Sequence, residues 1–460
     1  MQEDGNRKQP HICIIVGGAA GLSMGYFLKQ QGYRHITILE KEARVGGKCL
    51  SITYAGKSFD LGANYITSSY RQVKRLARKF GMRYYTEGQL NAYDGPSNRL
   101  TSLREAILSH TSFWKLAGQS LRYFYKRWQL NSVLSTRRPG YKGIAAHPEL
   151  TQSFGNWLTI NGLPDLAMLF QIPISLMGYG QLNEIPAAYG LTYMSLGTFA
   201  DLMLAAFSTR ILGYPKRFTE GYQRLWERIS WGLDVLPGAQ VLRVTRGGKR
   251  IVVEFAVQEE LLRPGRPARE TLVCDRLVIA VPLFSAALEP FMDLNPAEKA
   301  LFKQVIYDPY VVTTYQVSGM EAFTAVTYML PEPEIGHPFV VTRQFADTDL
   351  ISFYTRASYD QPVHKETILL NNAAFARRAA GVELGDYYTF SEFPYFPHVG
   401  SESMANGFYD ELEALQGRQN TFYTGGLMNF ELVETIVNYS RHLVKNHFLK
   451  QPSHEKQDFL

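Results

Sequence analysis

Three short runs near the N-terminus hold residue types that grip a dinucleotide by its backbone. Val16-Gly17-Gly18-Ala19-Ala20-Gly21 follows the apolar run Ile12–Val16 and precedes a helical pattern over Leu22–Gln31. In a G-x-G-x-x-G turn the first glycine makes the bend and the second lets a diphosphate approach. The third lets the helix pack on the strand, and the phosphates rest at the helix N-terminus. Gly18 and Gly21 take the second and third positions, but Val16 takes the first, where a β-branched residue resists positive φ. Alone, the turn reads equally as an ordinary strand–helix junction. Glu40 stands 19 residues after Gly21 at the end of a second apolar run, Ile36–Leu39, where a carboxylate can hold ribose hydroxyls. Next comes Lys41-Glu42-Ala43-Arg44-Val45-Gly46-Gly47-Lys48, two glycines and a cation suited to a second stretch of diphosphate. Phe59-Asp60-Leu61-Gly62-Ala63-Asn64 then makes a small-residue turn that a flat ring could approach. The Gly46-Gly47 turn by itself would read as a surface hairpin. All three runs in this order point to a dinucleotide site.

The elements that must position these turns are legible around them. Strand, glycine turn, helix and strand within about 30 residues make a βαβ unit with parallel strands and a right-handed crossover. Gly32 falls where a helix C-cap glycine belongs. Residues 100 to 210 are helical in pattern, with Phe113, Trp114, Tyr123, Phe124, Tyr125 and Trp128 spread through them; Ser135–Gly143 is a basic loop. Strand patterns return at Gln240–Thr245 and Ile251–Phe255, a hairpin turning at Gly247-Gly248, and at Arg276–Val281. Arg263–Pro267 reads as another turn, and short strands such as Val311–Val317 and Phe339–Thr342 follow. The chain closes with strand Phe422–Thr424, glycines Gly425-Gly426 and a helix over Val433–Phe448.

Composition bounds the rest. The 460 residues suggest two or three domains, and 45% hydrophobic with 20% charged excludes a disordered or fibrous chain. Cys13, Cys49 and Cys274 are far apart in sequence, which argues against a disulfide framework or a CxxC-type zinc site. No metal site is expected. The net charge of +6 is mild and the basic runs are separated, so nucleic acid is not an expected partner. The polar start and the lack of a long apolar run predict a soluble, cytoplasmic protein. Aromatic residues reach 13%, enough for either a large core or the walls of an apolar ligand site. Gly21-Leu22-Ser23-Met24-Gly25 matches GxSxG, but Ser23 falls inside the helix rather than on a sharp turn.

Through VGGAAGL, ILEKEARVGGK and FDLGAN the sequence resembles the FAD-binding amine-oxidase-like superfamily. It is most similar there to the polyunsaturated fatty acid double-bond isomerases, through Gly46-Gly47-Lys48-Cys49, Gly178-Tyr179-Gly180, Ile185–Tyr189, Phe396-Pro397-His398, Gln416–Tyr423 and Tyr439-Ser440. The resemblance implies that the strand around Val241 meets adenine by its backbone and that Gly425 and Gly426 close over the ribityl chain. It implies FAD as cofactor, held by Gly17, Gly18, Ala19, Ala20, Gly21, Glu40, Lys41, Gly47, Lys48, Ala63, Asn64, Val241, Gly425 and Gly426. In the mechanism the resemblance implies, no protein side chain need be catalytic: flavin N5 would take a hydride from a carbon between two alkenes and return it to the far end of the allylic cation. The protein excludes water and surrounds transient positive charge with electron-rich ring faces. Tyr179, Tyr189, Tyr193 and Phe199 are candidates for that lining, although each taken singly reads first as plain helix core. Leu202 falls at the position of the family's aromatic cap.

Three departures accompany the resemblance. Val16 replaces a glycine, and Gly426 stands where the superfamily often has an acidic residue on the ribityl chain. The arginine that clamps a substrate carboxylate has no counterpart in Gly88–Asn91. The first two predict weakened FAD binding, and the third argues against free linoleate as substrate.

The expected fold is a doubly wound, Rossmann-like α/β FAD domain with an inserted α+β substrate domain of helices and a mixed sheet. The FAD domain is expected to gather residues 1–100, 215–300 and 395–460, and the substrate domain 100–214 and 301–394. The expected function is an FAD-dependent isomerase of a lipid-like chain. The alternatives are an FAD-dependent oxidase or desaturase of a lipid-like or amine substrate, and a flavin-deficient scaffold that binds without catalysis. The Arg71–Lys79 and Arg104–Arg127 regions read first as solvated helix faces. The second, with its interleaved rings, also suits a weak peripheral contact with a bilayer.

Overall fold

Strand Ile12–Ile15 is buried at every position and pairs in parallel with Ile36–Leu39 on one side and Arg276–Ile279 on the other. A strand covered on both faces can be a continuous apolar run, which is why ICII and ITIL do not alternate with polar residues. Thr421–Tyr423 and Asp234–Leu236 extend the sheet in parallel at its two edges. Five strands from widely separated segments therefore form one doubly wound α/β layer, as the sequence predicts. The computed structural model describes residues 9–88, 90–135, 138–207, 215–261 and 267–449. Most of the expected turn at Arg263–Pro267, part of the basic loop Ser135–Gly143 and position 89 lie outside the described residues.

Helix Ala19–Gln30 crosses between the first two strands, buries Leu22, Met24 and Leu28, and ends before Gly32, whose φ is +82°. Ser23 lies inside it, not on a nucleophile elbow. The predicted hairpin appears as Ala239–Thr245 against Ile251–Val257, with Arg269–Cys274 as a third antiparallel strand. This arrangement also makes Cys13 and Cys274 neighbours in the core although they are distant in sequence; both remain free thiols.

The second layer is a seven-stranded mixed sheet. Tyr387–His398, Ile306–Gln316, Leu350–Arg356, Pro338–Arg343, Ala325–Leu330, Leu90–Asp94 and Arg99–Ser102 lie side by side in that order. One difference concerns residues 90–100, which the sequence reading groups with the nucleotide-binding segments. They enter two strands of the mixed sheet, because Leu90–Asp94 pairs in parallel with Ala325–Leu330. Tyr387–His398 likewise runs across the expected boundary at residue 394. Helices from Leu103–Leu108 to Leu196–Phe207 cover this region, and no single helix among the described residues is long and apolar enough to cross a membrane.

Candidate functional site

Val16 adopts φ +87° at the end of the first strand, the bend usually left to glycine. For a β-branched residue this conformation is strained. The bend turns the Val16 carbonyl toward the helix, where a Cβ on Gly21 would lie only 1.9 Å from it. Gly21 is therefore obligatory for packing. Helix Ala19–Gln30 begins at Gly18 with no capping side chain and no acid in its first turn. Its buried N-terminal N–H groups are suited to an anion by both hydrogen bonding and dipole.

The other turns close onto this one. Gly17 N–H donates to Glu40 Oε2 at 2.7 Å, and Glu42 N–H donates to Oε1 at 2.8 Å. Burial raises the Glu40 carboxyl above its usual range, and these two hydrogen bonds oppose that. Gly46 N–H donates to the Gly17 carbonyl at 2.9 Å, and a Cβ on Gly47 would come within 3.2 Å of Gly18 Cα. Arg44 Nη1 secures the second turn by donating to the Gly47 carbonyl at 3.0 Å. The third turn joins through Ala63 N–H, which donates to the Lys48 carbonyl at 3.1 Å; a Cβ on Gly62 would stand 1.7 Å from that same oxygen. Asn64 is buried, and the Tyr354 phenol beside it donates to the Asp60 carbonyl at 3.3 Å. Asp60, just before, accepts from Ser51 and Tyr222 N–H on one oxygen, and burial pushes its pKa up to about 6.

The C-terminal glycines meet the same cluster. Gly425 has φ +132°, and a Cβ on Gly426 would lie 2.1 Å from Glu431 Oε2. Glu431 is held by Lys48, whose Nζ is 2.9 Å from Oε1. Gly17, Gly18, Gly21, Glu40, Gly47, Lys48, Ala63 and Gly426 are thus linked by contacts through one site. Val241 begins near it, since Ala239 N–H donates to the Glu40 carbonyl at 2.7 Å. Lys41 points away: its amine is largely exposed, 3.5 Å from Glu42. Sequence reasoning missed Glu431, because nothing local marks which acid will fill the space over a glycine.

Beside these turns lies a wall of rings. Gly178 and Gly180, both at positive φ, present Tyr179; a Cβ on Gly178 would strike the Tyr310 ring at 2.5 Å. Tyr179, Tyr189 and Tyr193 all surround Phe430, at centroid distances of 4.8, 6.2 and 5.8 Å. Tyr189 and Tyr193 achieve this from one face of helix Ala187–Tyr193. Phe396 also meets Phe430 at 5.1 Å, and the two residues carry positive φ values of 48° and 73°. Tyr395 links the wall to the ion pair, 5.2 Å from Tyr179 and 5.9 Å from the Lys48 amine. Tyr179 O–H donates to the Glu431 carbonyl at 3.1 Å.

Phe199 sits elsewhere. It is fully buried among Tyr123, Phe124 and Phe170 at 4.5, 5.1 and 5.5 Å, inside the helical layer. Leu202 lies half-buried on the same helix, Leu196–Phe207.

Burial holds the phenols of Tyr179, Tyr189 and Tyr193 well above their usual pKa, so the rings are neutral. His398 stacks on Phe396 at 4.3 Å, donates from Nδ1 to its carbonyl at 2.7 Å, and is pushed by burial down to about 4. The wall is therefore apolar and uncharged at neutral pH, next to one ion pair that neutralises itself.

An arginine does come close to the expected clamp position, from a distant strand. Arg217, in Lys216–Phe218, pairs across Tyr85 and is fully buried. Its guanidinium binds Glu87, Tyr65 O–H at 3.0 Å and Gln344 Oε1 at 3.3 Å. It is committed to these partners rather than offered to a substrate carboxylate.

Comparison with known proteins places residues 19–319 on the family model described as flavin containing amine oxidoreductase. The FAD-dependent oxidoreductase oblC of Cochliobolus heterostrophus is 23% identical, over 90% of this chain and 86% of that protein. Among solved structures, the CLA-producing fatty acid isomerase from P. acnes has a TM-score of 0.81 at 24% identity, covering 96% of this chain and 100% of that one. A putrescine oxidase bound to putrescine gives a TM-score of 0.64 at 15% identity, with 96% and 99% coverage. These structural likenesses establish the fold.

Proposed function

Because the chain belongs to the flavin-containing amine oxidoreductase family, a family of FAD-binding enzymes, we propose that it is an FAD-dependent isomerase. Its substrate is a polyunsaturated fatty acyl or related lipid-like chain, in which it moves a carbon–carbon double bond. The observation that carries this reading is the neutral ring wall around Phe430, joined to the glycine turns through Tyr395, Lys48 and Glu431. The likeness in fold to the P. acnes fatty acid isomerase supports the same reading.

The residues present fit FAD. The uncapped helix N-terminus behind Gly18 suits a diphosphate, and Glu40 suits ribose hydroxyls with its remaining lone pairs. Gly47, Lys48, Ala63, Asn64, Gly425 and Gly426 would flank the rest of the cofactor, and Val241 the adenine. When bound, FAD supplies a two-electron acceptor and donor at its flavin ring. Tyr179, Tyr189, Tyr193 and Phe430 exclude water and face developing positive charge with their π-surfaces. Val16 keeps the bend that the cofactor needs but weakens binding through strain.

The test is anaerobic incubation of the flavin-loaded protein with polyunsaturated fatty acids and their esters. The isomerase gives conjugated-diene absorbance, a product of unchanged mass and no peroxide when air is admitted. Peroxide, or a product lighter by two hydrogens, would establish an oxidase or desaturase instead. A colourless protein that cannot be loaded with FAD would establish a binding scaffold.

A further inference from the structure

Helix Phe113–Gln129 has two faces of opposite character. Leu116, Ser120, Tyr123 and Arg127 are buried, and the inward face is pinned by hydrogen bonds. Tyr123 O–H donates to the Met194 carbonyl at 2.6 Å, and Arg127 Nε donates to the Leu191 carbonyl at 2.9 Å. The outward face carries Trp114, Leu121, Tyr125 and Trp128, which are 82%, 73%, 56% and 63% exposed. Spacings of seven, four and three residues put all four in one stripe along the helix, about 20 Å long at 1.5 Å per residue. Tyr125 and Trp128 stack on each other with centroids 6.5 Å apart.

A row of cations runs along one flank of this stripe. Lys115, Arg122 and Lys126 fall four to seven residues apart, and none forms an ion pair among the described residues. The helix FWKLAGQSLRYFYKRWQ contains no Asp or Glu at all. Its outer face therefore combines a continuous apolar stripe with uncompensated positive charge. Indole and phenol rings have an apolar body and a polar tip, which suits the boundary between headgroups and acyl chains. The cations suit anionic headgroups in the same plane.

We propose that this face rests on the surface of an anionic lipid bilayer, with the helix lying in the plane of the interface. The charge complementarity selects lipid over an apolar protein groove, which would leave three cations without partners. The site does not depend on the flavin reading. If that reading holds, the face would bring the enzyme to the medium in which its apolar substrate dissolves.

The test is co-sedimentation of the full-length protein with vesicles of phosphatidylcholine alone and of phosphatidylcholine mixed with phosphatidylglycerol. Binding to the anionic vesicles should be tighter by about 100-fold, the effect of three cations near an anionic surface, and should weaken in high salt. Replacing Trp114, Leu121 and Trp128 together by Ser should abolish sedimentation with either vesicle. Lys115→Glu with Arg122→Glu and Lys126→Glu should remove the preference for anionic lipid. Unchanged circular dichroism and melting temperature establish that both variants fold. Absence of vesicle binding, or binding that neither variant changes, would overturn the proposal. Self-association that the Ser variant abolishes, without vesicle binding, would overturn it in favour of a second copy of the chain covering this face.

Discussion

Gly426 and Glu431 share one space: a Cβ on residue 426 would sit 2.1 Å from Glu431 Oε2 and 2.7 Å from its carboxyl carbon. The acid missing at 426 is thus replaced by one delivered from five residues later, and Lys48 holds it in place at 2.9 Å. The sequence departure at Gly426 leaves a carboxylate at the site after all.

Gly426→Ala should displace that carboxylate and release Lys48, with a stability loss of about 1–3 kcal/mol. Glu431→Gly should restore room, so the double variant should be more stable than the two single losses predict, with a coupling of about 0.5–3 kcal/mol. Urea denaturation of the four proteins checks this. Simple additivity would mean that the two residues do not compete for space.

Val16→Gly should stabilise the protein, because φ +87° is natural for glycine and strained for valine. Relief of strain is worth about 1–3 kcal/mol, reduced by the greater freedom of glycine in the unfolded chain. The melting temperature should rise, and the purified variant should retain more flavin per chain by absorbance. A lower melting temperature would show that the Val16 side chain contributes more packing than the bend costs.

Asp60 and His398 should give stability opposite slopes with pH. Burial raises Asp60 from 3.8 to about 6, so between these values the folded chain holds a proton that the unfolded chain releases. Its contribution to stability falls as pH rises through that window. Burial lowers His398 from 6.5 to about 4, so the unfolded chain takes a proton that the folded chain refuses. Its contribution is present above pH 6.5 and is lost as pH falls toward 4. Each effect is on the order of 3 kcal/mol at about 1.4 kcal/mol per pH unit. Relative to the wild type, Asp60→Asn should make acidification more destabilising, and His398→Gln should make it less so. Urea unfolding across this pH range reads both slopes, and equal slopes in all three proteins would refute the assignment.

Arg217→Met should be among the most damaging single changes, since it strands Glu87, which is itself 3% exposed. Removing one partner of a buried ion pair costs about 3–5 kcal/mol. Adding Glu87→Gln should recover part of that loss. Denaturant midpoints check both steps, and a mild effect of Arg217→Met would mean that water reaches the pair.

Some parts of this protein are written in neighbouring residues. The ICII and ITIL strands, the helix between them and the glycine turns follow from apolar runs, periodicity and backbone freedom within about 30 residues. The Gly178-Tyr179-Gly180 motif also marked a ring that packs against Phe430 and bonds to the Glu431 carbonyl. Other decisions needed the assembled fold. Phe199 and Tyr179 look alike in sequence, yet one packs in the helical core and the other beside Phe430, because helix orientation is set by tertiary packing. Leu90–Asp94 joined the mixed sheet through parallel pairing with residues more than 200 positions away, and Arg217 reached Glu87, 130 positions away, through an antiparallel pairing. The exposed stripe of Phe113–Gln129 became visible only when the fold showed which face was covered. Local dihedral and periodic preferences act along the chain, whereas shared space, ion pairing and burial depend on partners that only folding brings together.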